Sequence, residues 1–394
     1  MVVSIPQNLS PADESTVVDC AVNSHGDSQL TCIELFAGCG GMATGLGRAG
    51  FEHTRMAEFN PFACETLRSN FEVRSNGSSP LILEQDVRTI DWGGVGEVAL
   101  VAGGPPCQPF SRGGLAAGKH DPRDMWPEAV RAVRELRPRA FLFENVKGLL
   151  RASFADYLES IVAHLECAGV SEASAGTRLY NVTVVSVSAA DYGAPQKRER
   201  VLIAGMRVDC GALKPFPVAT HSVRRLVWDK WISGDYWDRH NLARPECGPI
   251  SRVERSVLRE LERTGVQPQE LAWLTCRDAF SGLGEPGAGS PHSRHEFKSG
   301  AKAYPGHEGS AIDEPAKALK AGTHGVPGGE NMLVDGMGHT RYFTIREAVR
   351  LQGMPDSFVP SGSWSQAMRQ LGNAVPAQLA EVAGRWIREC LSGH

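Results

Sequence analysis

Between residues 31 and 207 the sequence repeats one pattern: a short apolar run, a turn, then a segment of helical period. Cys32-Ile33-Glu34-Leu35-Phe36 opens it and ends in the glycines Gly38, Gly40 and Gly41, before a short helix over 42–50. A second strand follows over 56–59, Pro61 suits the first turn of the next helix, and a third strand spans 81–87. Further strands are predicted at 98–102, 140–143, 182–187 and 201–204, with helices at 127–136 and 157–167. Strands that alternate with helices at this spacing predict an α/β fold built on a doubly wound, mostly parallel sheet.

From residue 208 the alternation stops. Residues 208–335 are rich in Gly, Pro, His and Trp, and 253–263 is the one segment there that reads as clearly helical. The simplest architecture inserts a smaller, loop-rich, irregular β domain at 208–335 into the first domain, 31–207. The return segment, 336–394, then completes that domain. In its final helix, 376–391, Leu379, Val382, Ala383, Trp386, Ile387 and Cys390 follow the i, i+3, i+4, i+7 pattern of a buried face. Residues 1–30 are polar and aperiodic and read as a mobile tail.

At 394 residues with 42% hydrophobic content, the chain can bury at least one large core. A net charge of −4 does not advertise a nucleic-acid binder, although such proteins often concentrate a basic face locally. Ten cysteines without a Cys-x-x-Cys pair give neither a zinc signature nor a disulfide framework, which predicts a reducing compartment. No apolar run approaches the roughly 18 residues of a membrane span, and the start lacks a signal sequence. The expectation is a cytoplasmic protein with no membrane partner and no metal.

The chemistry concentrates at strand ends. The 98–102 strand breaks at Gly103-Gly104, and Pro105-Pro106 then holds a stiff, extended backbone just before Cys107. A thiol presented rigidly there can act as a nucleophile; the alternative is a small buried cysteine after a turn. Phe36-Ala37-Gly38-Cys39-Gly40-Gly41 lets the backbone approach a ligand and turn into a helix. Glu58 ends the second strand at the distance of a ribose-binding carboxylate, and Asp86 ends the third. Glu144-Asn145-Val146 closes the 140–143 strand facing the same crevice, where desolvation would let Glu144 donate a proton. In Gln196-Lys197-Arg198-Glu199-Arg200 the two arginines alternate and share a face; a solvated basic loop would look similar. Arg224, Arg225, Trp228, Lys230, Trp231, Tyr236, Trp237, Arg239 and His240 interleave cations and aromatics, as a nucleic-acid surface or as a small tryptophan core. His292-x-x-His295 has metal-like spacing, but no cysteine or acidic partner completes it.

Six ordered motifs make the chain resemble the cytosine-C5 DNA methyltransferases of prokaryotic type. They are the 36–41 turn, Pro105-Pro106-Cys107-Gln108, Glu144-Asn145-Val146, the 196–200 segment, Arg346-Glu347-Ala348 with Gln352-Gly353, and Gly372-Asn373-Ala374-Val375-Pro376. The resemblance covers most of 31–207 and 336–394. It implies a class I Rossmann-like methyltransferase using S-adenosyl-L-methionine on double-stranded DNA. Cys107 would add to cytosine C6, Glu144 would bond N3, and Arg200 would hold O2 with Arg198 supporting that corner. The cofactor would lie over Phe36, Ala37, Gly38, Gly40 and Gly41. Its ribose would rest on Glu58 and its adenine near Asp86 and Val87, with Pro106, Asn373 and Ala374 closing the pocket.

The resemblance also implies base flipping and a loop, 111–126, that closes over DNA. Gln108, Ser111 and Arg123 are its candidate contacts. Residues 208–335 would then be a target recognition domain, with Arg224 and Arg225 on the duplex. A monomer paired functionally, without contact, to a cognate restriction endonuclease is the expected setting. The nearest rival is a tRNA cytosine-C5 methyltransferase, which would have a much reduced recognition region and a Cys-Phe-Thr signature not found here. A non-catalytic homologue would be expected to lack Cys107 or Glu144. A nicotinamide dehydrogenase would explain the glycine turn but not Pro-Pro-Cys-Gln with Glu-Asn-Val.

Overall fold

The last four residues of β1 (Thr31–Leu35) are buried, so this strand must be covered on both faces, as the centre of a parallel sheet requires. The computed structural model describes residues 30–71, 79–106, 124–167, 178–246, 251–287, 289–305, 307–321 and 329–393. From β1 the chain turns into α1 (Gly41–Arg48), β2 (Glu52–Glu58), α2 (Pro61–Phe71) and β3 (Leu81–Glu84). It continues through β4 (Leu100–Gly103), α3 (Trp126–Leu136), β5 (Ala140–Val146) and α4 (Ala155–Glu166). β6 (Tyr180–Ser188), the short β7 (Gln196–Lys197) and β8 (Glu199–Arg207) close the unit.

One sheet runs in the order β3-β2-β1-β4-β5-β8-β6. Every pairing from β3 to β5 is parallel, as predicted. β8 runs antiparallel to both β5 and β6, because the link between β6 and β8 holds no crossover helix. The order reverses between β1 and β4, which opens a crevice at the carboxyl edge of the sheet. A Cβ on Gly103, at that edge, would stand 2.4 Å from the Leu35 carbonyl oxygen, so only glycine lets the strands run this close.

The inserted region holds strands of two or three residues. They are β9 (His221–Ser222), β10 (Leu271–Ala272), β11 (Ser310–Ala311), β12 (Ala316–Lys317), β13 (Met332–Val334) and, just beyond it, β14 (Thr340–Tyr342). β9 pairs with β10, β13 lies between β11 and β14, and β12 pairs with β7. Besides the predicted helix, here α7 (Arg252–Thr264), the region contains α5 (Val223–Trp228), α6 (Asp235–Arg239) and α8 (Cys276–Ala279). A π-helical turn, Asp229–Ser233, prolongs α5. Leu226, Tyr236 and Trp237 are buried there, with Trp231 and Trp273 packed against them. The 224–240 stretch therefore builds an aromatic core, the second of its two readings.

The return segment supplies α9 (Ile345–Leu351), α10 (Trp364–Asn373) and α11 (Ala377–Leu391). α11 lies against α1 on one face of the sheet, where Met42 and Leu46 meet Leu379, Ala383, Trp386 and Ile387. Ala129, Val133, Ile161 and Leu165, from α3 and α4, cover the other face. A Cβ on Gly45 would stand 2.3 Å from the Ala377 carbonyl oxygen. This close approach holds the start of α11 beside the crevice. Among the described residues no helix is long and apolar enough to cross a membrane.

Candidate active site

Directly after β1 the backbone enters the left-handed region at Phe36 (φ 54°), Gly38 (φ 56°) and Gly40 (φ 89°). Glycine takes that conformation without cost, whereas Phe36 is held in it by its surroundings. Glu58, the last residue of β2, fastens the turn: its carboxylate accepts from Gly38 N at 2.9 Å, Phe59 N at 2.9 Å and Asn60 N at 2.8 Å. A carboxylate offers about four acceptor sites, so one remains for a ligand. Phe59 beside it is 71% exposed, a free aromatic face that the motif pattern passes over. Ala37 is buried, and its N–H donates to Ala57 O at 3.1 Å.

The distant Gly372–Pro376 motif arrives at this turn. A Cβ on Gly41 would meet the Val375 carbonyl oxygen at 2.4 Å and the Ala374 methyl at 3.0 Å. Asn373 ends α10 and is exposed. Asp86 lies two residues past β3 rather than ending it, and caps a 3-10 turn, accepting from Arg88 N at 3.0 Å and Arg88 Nε at 2.9 Å. Those bonds hold its carboxyl below the ordinary carboxylate value. Val87 next to it turns into the core.

On the other side of the switch point, β5 runs on to Val146 and so carries Glu144 and Asn145 to the carboxyl edge. Glu144 lies opposite Leu202 and Val146 opposite Arg200, which makes Glu144 and Arg200 diagonal neighbours on one face. Their side chains form an ion pair, 10% and 12% exposed. A Cβ on Gly104 would be 3.4 Å from Glu144 Oε2, so the carboxylate faces the chain just before the prolines. Asn145, 2% exposed, donates from Nδ2 to Pro105 O at 3.1 Å, while its Oδ1 accepts from Val146 N at 2.9 Å. The arm leading to Cys107 is thus pinned to the end of β5 up to the half-buried Pro106. Cys107, Gln108, Ser111 and Arg123 lie outside the described residues.

Arg198 does not enter the crevice beside Arg200. It is 2% exposed and donates from Nη1 to Leu319 O at 3.0 Å and from Nη2 to Gly372 O at 2.8 Å. Burial, with the Arg200 charge nearby, disfavours its cationic form, and Glu144 opposes that. Gln196 donates to Leu351 O at 2.7 Å and to Gln352 Oε1 at 2.9 Å, and Gln352 donates in turn to Leu371 O. The 196–200 motif is therefore half brace and half site.

The candidate duplex contacts are engaged within the chain. Arg224 pairs with Glu260 at 2.5 Å, and Arg225 with Asp229 at 2.7 Å and Pro268 O at 3.2 Å. Arg224 stays 39% and Arg225 27% exposed in these pairs. His292 and His295 bond separately, to Gly282 O at 3.2 Å and to Thr344 Oγ1 at 2.9 Å. Among the described residues no group of three His, Cys, Asp or Glu could hold a metal ion. Cys39 and Cys64, near the glycine turn, have thiols pushed up to about 12 by burial, so neither competes as a thiolate.

A nucleotide-type crevice with a carboxylate-fastened glycine turn and a rigid arm facing a Glu–Arg pair is the framework of a class I, Rossmann-like methyltransferase. The same fold is found in the Dnmt2 methyltransferase of S. pombe (TM-score 0.53, 18% identity, 92% of this chain and 98% of that one). Entamoeba histolytica methyltransferase EhMeth also shares it (TM-score 0.54, 13% identity, 92% and 98%). The Type II methyltransferase M.NgoMIV of Neisseria gonorrhoeae is 31% identical over 367 residues, 92% of this chain and 98% of its own. M.PspPI of Psychrobacter sp. (strain TA137) is 32% identical over 365 residues, 91% and 79%. The model of the C-5 cytosine-specific DNA methylases matches residues 30–239 and 287–389. The chain belongs to that family and is a DNA cytosine-5-methyltransferase.

Proposed function

We propose that the chain methylates C5 of a flipped-out cytosine within a specific double-stranded DNA sequence, with S-adenosyl-L-methionine as donor and a covalent Cys107–C6 adduct on the path. The observation that carries this reading is the Glu144–Arg200 pair beside the pinned Pro105–Pro106 arm. O2 and N3 are adjacent atoms on the cytosine ring, and a carboxyl and a guanidinium side by side match that edge. Arg200 donates to O2 and Glu144 supplies a proton at N3. The Cys107 thiolate forms its bond to C6, and the electron pair released reaches C5, which becomes nucleophilic. When bound, S-adenosyl-L-methionine supplies the methyl carbon that C5 attacks. Loss of the C5 proton to a base, with water the simplest candidate, then expels the Cys107 sulfur and restores the ring.

The residues fit that donor. Glu58 keeps one acceptor site beside the turn, which suits a ribose hydroxyl, and the exposed Phe59 offers a face for a planar ring. Glu58→Ala and Asp86→Ala should both weaken S-adenosyl-L-methionine binding more than DNA binding. Each lost charged hydrogen bond is worth roughly 1.5–3 kcal/mol, or roughly ten- to a hundredfold in affinity. The larger loss is expected for Glu58→Ala, which also leaves three turn N–H groups without their acceptor. Calorimetry with cofactor affinity unchanged in both variants would move the cofactor elsewhere.

Extruding the base costs a few kcal/mol, which contacts to the duplex must offset. Residues 208–335 are the proposed recognition domain. The family model passes over 240–286, as expected of a segment that varies with the target. The Type II relatives support a modification role in a restriction–modification system, opposite an endonuclease acting at the same site. Bisulfite sequencing of DNA from a host expressing the chain should reveal one recurrent sequence with a protected cytosine. Protection at no site, or without sequence preference, would overturn the reading.

A further inference from the structure

Lys197 sits between two residues of the site brace, Gln196 and Arg198, yet its side chain leaves in the other direction. Its Nζ meets Glu314 Oε2 at 2.9 Å, Glu314 Oε1 meets Lys230 Nζ at 3.0 Å, and Lys230 Nζ meets Glu254 Oε1 at 2.8 Å. This chain of charges runs from the start of α7, through the π-helical turn after α5, to β7. Lys230 and Glu254 are 3% and 6% exposed and Glu314 is 21%, whereas Lys197 is 47% exposed. Burial alone would push the Glu314 carboxyl up, but Lys230 and Lys197 outweigh it and hold it at about 2. Lys230 is kept protonated by Glu314 and Glu254 against the opposing effect of burial.

Such buried charges are poor sources of stability, since apolar side chains of similar volume often serve as well or better. What they add is geometry, because each must meet its partner at one distance. The main chain on both sides is tied as well: Ala316 N donates to Pro195 O at 2.9 Å, and Cys276 N to Glu314 O at 2.9 Å. Arg198 follows β7 directly, and two residues beyond it Arg200 meets Glu144.

We propose that Lys197 and Glu314 are positioning residues, whose ion pair sets β7 relative to the α5–α7 module and so couples that module's engagement of DNA to the placement of Arg200 against Glu144. The inference rests on the functional reading above and concerns residues that touch neither substrate nor cofactor.

The test uses the full chain and the DNA site found by bisulfite sequencing. Lys197→Met removes the exposed end of the chain, and Lys197→Arg keeps its charge. A displacement of the order of 1 Å in a catalytic constellation costs up to about a hundredfold in rate, so Lys197→Met should lower kcat about ten- to a hundredfold. KM for S-adenosyl-L-methionine and Tm should stay unchanged, discrimination against a site altered by one base should fall, and Lys197→Arg should restore most of kcat. Glu314→Gln should reproduce the kcat loss. Lys197→Met with kcat within about twofold of wild type, or a kcat loss that follows a fall in Tm and is not rescued by arginine, would overturn the proposal. An active wild type with an equally active Lys197→Met removes this inference alone; a wild type that methylates no cytosine removes both.

Discussion

Cys107→Ser is expected to abolish methyl transfer, by on the order of 10⁴-fold or more as for other lost covalent nucleophiles, while S-adenosyl-L-methionine binds as before. An alcohol held at the same point is almost wholly protonated at neutral pH, whereas a thiol supplies thiolate readily. The described cysteines nearest the glycine turn make poor substitutes. Cys39 and Cys64 are buried with their thiols pushed up to about 12, and burial raises Cys32 and Cys276 as well. The chain leading to Cys107 is anchored by Asn145 at Pro105 and stiffened by two prolines. Duplex containing 5-fluorocytosine makes the step visible. Once C5 bears both fluorine and methyl it has no proton to lose, elimination stops, and wild type should stay attached to DNA through denaturing electrophoresis. Cys107→Ser should give no such band. A serine variant with more than a few per cent of wild-type turnover, or a wild type without an adduct under methylating conditions, would remove Cys107 from this role.

Much of this site is legible in the sequence because its chemistry sits at strand ends. Glycines at 38, 40 and 41 mark a turn whatever the ligand, and an acid after an apolar run marks the next strand's edge. What periodicity misreads is instructive. Arg198 and Arg200 alternate, which predicts a shared face, but Arg198 N donates to Gln196 O at 3.0 Å, a tight three-residue turn between β7 and β8. That kink breaks the alternation and turns Arg198 into the interior. Arg224 and Arg225 stand in a string of cations and aromatics, and the sequence gives no sign that Glu260 and Asp229 pair with them within the chain. Pairings of this kind depend on tertiary contact and leave no local trace. Helix α10 does leave one: Ser363 caps it, and Ala367, Met368 and Leu371 fall on one buried face. The Gly-Asn motif at its end draws attention away from that pattern. The Asn145 bond to Pro105 has no local signal, since its acceptor lies forty residues earlier, past the end of the neighbouring strand.

Glu144→Gln separates the two things a carboxyl can do at N3. The amide is nearly isosteric, can donate a hydrogen bond to N3, and can still accept from Arg200, so the flipped cytosine should bind almost as well. It cannot give up a proton, so addition at C6 loses its charge compensation. General acid catalysis contributes about 10²- to 10⁴-fold, and kcat should fall by that factor with KM for DNA little changed. The 5-fluorocytosine adduct should form slowly in proportion. Arg200→Met, by contrast, removes the O2 donor and leaves Glu144 without its cation in a pocket where both side chains are largely buried, so stability should fall along with rate. The double variant tests whether the residues act as a unit. If Glu144 and Arg200 grip one ring edge together, the combined loss should be well short of the product of the single losses, because either change already spoils the geometry. Single-turnover measurements on the cognate duplex supply all three numbers. Glu144→Gln turning over within tenfold of wild type would mean that the pair holds the end of β5 against β8, and that the proton at N3 comes from elsewhere.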